Sequence, residues 1–227
     1  MRFRIPQPIH GWRQFAGEVG IIVVGVLIAL GAQQIVEDRS WAGQIKEART
    51  SLDAQLIDSK YAAMERVASA WCVERRLDFF DEVVAGRRPA AGLDTKVSPL
   101  RLWGTSAWDA ATASGAVARM PAALRNDYAG LFSFSEALNE INSNEFSESG
   151  GLGTLERHGN LTDVSRDRLA ETIARMRTSN RILKLGAQQW LEGAKPLNLS
   201  EEGFAEDLAK AKQCKLPDGT VITKGAA

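Results

Sequence analysis

All the thiol and imidazole chemistry in these 227 residues rests on Cys72, Cys214, His10 and His158. Paired-histidine zinc motifs cannot be built from them, and two cysteines fall short of a four-cysteine zinc site. One disulfide is within reach. Both cysteines sit beside charged or polar residues rather than deep in an apolar run, and in an oxidising compartment Cys72 and Cys214 are expected to bond to each other. A nucleophile pair of Cys72 with His158 needs a spatial adjacency that no motif supports. His158 follows Glu156 and Arg157 in a glycine-rich stretch, where a lone histidine is solvated by default, although it could serve as a ligand or base. Gly150, Gly151 and Gly153 invite a phosphate-loop reading, but no Gly-Lys-Ser/Thr follows them. No catalytic, metal or cofactor-binding set emerges, and the expectation is a non-enzymatic protein.

A second group offers binding rather than catalysis. Small residues at 110, 111, 113–116 and 118 let another helix, or a ligand, approach the backbone closely, and helix packing is the simpler reading. Trp103 and Trp108 flank that surface; with Ser114 and His158 they form a candidate pocket, although large aromatics more often fill a core. Asp78, Asp81 and Glu82 lie on a charged helix face, with solvation as their default role. Overall, 28 basic and 28 acidic residues cancel, which removes the electrostatic argument for nucleic acid.

The segment most able to position everything else is VGIIVVGVLIALGAQQIV, residues 19–36, which carries no charge. As a helix it spans roughly 27 Å, close to the hydrocarbon thickness of a bilayer. A cleaved signal peptide is the competing reading, yet Leu30-Gly31-Ala32 puts a bulky leucine where a cleavage site wants a small residue. Gly25 and Ala29 form a small-xxx-small pair on this helix, extended by Ile22, Ala32 and Val36, which suggests self-association into a homo-oligomer. Arg2, Arg4 and Arg13 precede the span with no acid before Glu18, which predicts a cytoplasmic N-terminus and a domain on the far side of the membrane.

Beyond the span, Ile45, Ala48, Leu52, Leu56, Ala63, Val67, Ala70, Leu77, Phe80 and Val84 recur at helical spacing, without proline, until Gly86, Pro89 and Gly92. The membrane helix is therefore expected to run directly into a long amphipathic one, followed by a loop over 86–100. A helical block over 105–148 is divided near Pro121, which suits the first turn of its second helix. Leu124, Tyr128, Leu131, Phe134, Leu138 and Ile141 give that helix an apolar face. Residues 149–160 read as a flexible connector. Thr162 or Asp163 then caps a helix bearing Leu169, Ile173, Met176, Leu183, Ala187 and Trp190, and Ser200 caps a last one reaching about Gln213. The expected fold is all-α: an N-terminal transmembrane helix continuing into a long helix, then an antiparallel bundle of four or five helices. Its divisions are a cytoplasmic tail 1–18, membrane helix 19–36, bundle 37–213 and C-terminal tail 214–227.

Two segments resemble a family of bacterial single-pass proteins known only as a domain of unknown function. One is Gly17-Glu18 with the apolar run ending in Leu27-Ile28-Ala29-Leu30 and the acidic exit at Glu37. The other is Trp108 with Ser114-Gly115, followed by Leu124-Arg125 and Tyr128; alanine stands at 111 where the family pattern has leucine. The resemblance implies anchoring and a helical extracytoplasmic domain, and supplies no catalytic residues. The expected role is an interaction or scaffold protein in the inner (cytoplasmic) membrane, its domain in the periplasm, with the lipid bilayer and an unidentified protein as partners. A small-molecule sensor acting through a partner subunit is the alternative, and an envelope enzyme ranks third.

Overall fold

The computed structural model describes residues 11–90, 92–98, 101–157, 161–201 and 203–224. Two units divide the chain, Met1–Glu47 and Ala48–Ala227. Helix α1, Trp12–Val84, contributes residues to both. In the first unit its apolar side chains lie open: Ile21 is 76% exposed, Ile28 67% and Val36 66%. This helix is long and apolar enough to cross a membrane, with none of its apolar window buried.

In the second unit, α1 stops where the sequence places the break. Gly86 takes φ +75°, donating its N–H to Val83 O while Arg87 N–H reaches Glu82 O. These two bonds satisfy carbonyls left open at a helix end, and the left-handed backbone suits a residue without Cβ. The chain then returns through an irregular segment to α2, Ser106–Ala113, a short 3-10 turn at Val117–Arg119, and α3, Ala122–Ser149. Pro121 is the N-cap of α3, one residue ahead of its first turn. Helix α4, Thr154–Arg157, precedes α5, Asp163–Ala194, whose N-cap Thr162 accepts a bond from Ser165 N–H.

The all-α architecture rests on three long helices. Contacts climb α1 and α3 together, Asp53 with Tyr128 and Arg66 with Glu145, so those two run in the same direction. Helix α5 opposes both, pairing Trp190 with Ser135 and Arg175 with Glu148. The irregular return between α1 and α2 is what allows parallel neighbours, which a short turn would forbid.

Each long helix buries a seam spaced alternately by three and four residues. On α1 it is Leu52, Leu56, Ser59, Ala63, Arg66, Ala70, Val73, Leu77 and Phe80; on α5 it is Leu169, Ile173, Met176, Asn180, Leu183, Ala187, Trp190 and Ala194. Such spacing keeps one stripe facing its partners. At the α3 crossing, Gly186 of α5 lies so close that a Cβ there would stand 2.6 Å from Leu138 Cδ2.

Three expectations change. Within the stretch 149–160 expected to be a flexible connector, Ser149 ends α3 and residues 150–157 form a 3-10 turn and α4, because Leu152 and Leu155 are fully buried in the core with Leu77, Phe80 and Ile173. Residues 158–160, including His158, lie outside the described set, as does the basic tail 1–10. The last helix, α6, is Ala205–Lys210, so Ser200 does not cap it. The C-terminal tail is a hairpin, β1 Gln213–Lys215 with β2 Val221–Thr223, in register Cys214↔Ile222. Its turn uses Gly219 at φ +88°, while Asp218 Oδ1 accepts from Thr220 N–H; Pro-Asp-Gly chemistry suits this bend.

Candidate functional site

The polar side chains that matter most sit on the apolar seams themselves. Arg66 is 6% exposed, Glu145 of α3 1%, and Asn180 of α5 2%. Arg66 grips Glu145 through two parallel bonds, Nη1 to Oε2 at 2.7 Å and Nη2 to Oε1 at 2.6 Å, the fork geometry that makes arginine–carboxylate pairs specific. Its Nη1 also donates to Ser98 Oγ at 2.6 Å, and Nη2 to Asn180 Oδ1 at 3.0 Å. Asn180 continues the chain, donating to Ala70 O and to Glu74 Oε1. One cluster thereby ties α1, the return segment, α3 and α5 at a single level.

Outward from Glu74 the seam becomes an ion-pair fan. Arg177 donates to Glu74 at 2.6 Å, Asp78 at 2.9 Å and Asp81 at 2.7 Å. The charged face expected to be merely solvated is therefore engaged by a facing guanidinium. Partial burial works against the charge of Arg177, but hydrogen bonds to Asp78 and Glu74 prevail and hold it above its ordinary value. Arg76 goes the other way, lowered by burial despite Asp94 beside it.

The sulfurs of Cys72 and Cys214 stand at disulfide distance, 1.99 Å, with Cα atoms 5.3 Å apart. They join the last third of α1 to β1. The same corner is held by Trp71 Nε1, which donates to Ala211 O, and by Asp94 N–H, which donates to Pro217 O. Gly25 and Ala29 lie one turn apart on the exposed part of α1 with nothing near Gly25.

Of the four candidate pocket residues His158 lies outside the described set, and Trp103, Trp108 and Ser114 are not gathered into one pocket. Trp103 is 3% exposed and packs edge-on against Trp190 at 6.2 Å, as a core aromatic does. Trp108 stacks instead on Phe132 at 5.7 Å. Ser114 is exposed on the turn that Gly115 makes at φ +78°. Of the small residues around it, Ala111 and Ala116 are buried while Ala110, Ala113 and Ala118 face outward, so this stretch is not a close-packing surface along its length.

Beside Trp103 is a cavity of about 10 Å³, walled by Ala62, Arg66, Ser69, Asn142 and Leu183. Larger openings are superficial, including a cleft of about 520 Å³ between α1 and the hairpin, with Trp71, Arg75, Phe79, Arg88 and Lys224 on its walls. Among the described residues no cluster of histidine, cysteine or carboxylate side chains is arranged to hold a metal. Family models, curated proteins and solved structures yield no match to this chain, so the reading of the site rests on its geometry.

Proposed function

We propose that this chain is a membrane-anchored helical interaction or scaffold protein. Residues 19–36 hold it in the inner membrane, the N-terminus is cytoplasmic, and the bundle lies in the periplasm. The observation that carries this reading is the fully exposed apolar window of α1. So much open aliphatic surface is unfavourable in water and favourable in lipid. The Cys72–Cys214 pairing supports the oxidising side for the bundle. A bundle whose seams are locked by side-chain pairs suits presentation of a fixed outer surface.

Membrane fractionation with an alkaline wash, combined with thiol alkylation of the exported protein, tests both halves. Retention in the membrane pellet with both cysteines protected until reduction is the expected result. A soluble species beginning near Gln33 removes the anchor, and two freely alkylated cysteines remove the periplasmic placement. The cleft between α1 and the hairpin favours a second reading, a small-molecule sensor acting through a partner subunit. Its volume of about 520 Å³ is in the ligand range.

A further inference from the structure

A guanidinium carries five N–H donors, and four of those on Arg66 are accounted for. Two go to Glu145, one to Ser98 and one to Asn180. The fifth, on Nε, is buried and meets no protein acceptor; Ser69 Oγ is likewise buried and unpaired. Both residues wall the same cavity of about 10 Å³ beside Trp103. Two residues with a buried, unpartnered polar atom on the wall of one small cavity are a pattern that folded proteins rarely leave open.

We infer that this cavity is a binding site for one resident water molecule, which accepts the Arg66 Nε hydrogen and bonds the Ser69 hydroxyl. Three properties of the chamber select that guest. Its volume matches the roughly 10–15 Å³ that one water needs, which rules out a ligand with more than one heavy atom. The Nε–H can only donate, so a cation has no place against it. Both guanidiniums on the wall already face carboxylates, Arg66 with Glu145 and Arg101 with Glu65, so no uncompensated positive charge is left to hold a halide. Ala62, Trp103 and Leu183 supply the apolar part of the wall, while Asn142 bonds Arg101 O and Arg101 pairs with Glu65, which leaves Arg66 and Ser69 as the anchoring groups. The water completes the donor set of a charged residue 6% exposed, so the Arg66–Glu145 pair becomes a closed network rather than a partly satisfied one.

The test uses the full chain in lipid nanodiscs with ¹⁵N-labelled arginine, reading cross-relaxation between water and the assigned Arg66 Nε hydrogen. The expected result is a cross-peak with the sign of a resident water. Ala62→Val adds two carbons to the wall and is expected to abolish that peak with helical circular dichroism unchanged. Should Ala62→Val fail to fold, Ser69→Ala carries the test instead: removing one of two anchors should weaken the peak severalfold. Absence of the peak in the native chain overturns the proposal. So does a peak indifferent to both substitutions, or an Arg66 resonance that shifts with chloride concentration, which would make the guest a halide.

Discussion

Glu145→Ala is the sharpest perturbation of the polar level. It deletes the two short bonds to Arg66, at 2.7 and 2.6 Å, and leaves a guanidinium only 6% exposed with Ser98 and Asn180 as its remaining partners. The neighbouring carboxylates among the described residues are already engaged. Glu74 is held by Arg177 and Asn180, and Glu65 by Arg101. Breaking a buried pair from one side costs about 3–5 kcal/mol, a large share of a total of about 5–15 kcal/mol. The double replacement Arg66→Met with Glu145→Leu behaves differently, since it removes both charges and their desolvation together. It should lie near the native stability, neutral or better by about 1–4 kcal/mol. Glu171→Ala is the control, because Glu171 is 70% exposed in its pair with Arg175 and such pairs contribute about 0–1 kcal/mol. Urea unfolding of the full chain in detergent, followed by far-ultraviolet circular dichroism, reads all four proteins. A Glu145→Ala loss no larger than that of the control would refute the reasoning. A double variant as unstable as Glu145→Ala would refute it equally.

Three further outcomes are expected. Cys72→Ser or Cys214→Ser opens a loop of 142 residues and should lower stability by about 5 kcal/mol on the chain-entropy model, measured by the same unfolding curves with and without reductant. Tyr128 is pushed up from 10.0 to about 12, first by burial and then by its bond to Asp53; a raised folded value means its contribution is complete below pH 10 and lost as pH climbs toward 12. Tyr128→Phe should therefore flatten the fall in thermal midpoint across that alkaline window, and an unchanged slope assigns the fall to other groups. Replacing Gly25 and Ala29 together by leucine should weaken association of the membrane helix in a reporter assay, since bulk prevents close backbone approach; undiminished association dismisses that stripe.

Which parts of this molecule could be read beforehand follows from what hydrophobic periodicity records. The apolar face of α5 was legible almost residue by residue, since Leu169, Ile173, Met176, Leu183, Ala187 and Trp190 are all buried. The α3 face was legible only in part: Tyr128, Leu131 and Leu138 are buried as expected, while Phe134 and Ile141 lie at its margin and Ser135, Asn142 and Glu145 take the interior. The glycines at 150, 151 and 153 masked the two leucines that anchor α4. In the C-terminal tail the Pro-Asp-Gly turn is legible, but its flanking strands are not, because each has only three residues.

The polar level escaped for a different reason. Counting apolar positions treats Arg66, Glu145 and Asn180 as gaps in a stripe, yet their spacing places each one on its helix's buried seam. A polar residue at such a position is a register device, since it is tolerated only where its partner faces it. On α1 the seam runs Ala63, Arg66, Ala70, so the arginine's place on it was visible in the sequence. Its counter-charge was not. Naming Glu145 requires knowing that α3 runs parallel to α1 and at what height, and both depend on the irregular return between α1 and α2, whose path no periodicity encodes. The polar level in turn constrains that return: Ser98 bonds Arg66, and Asn142 Nδ2 bonds Arg101 O at 2.9 Å. Sliding α3 by one helical turn would part Glu145 from Arg66 and Asn142 from the return segment together, so one buried charge selects both the register of the helices and the path of the chain that joins them.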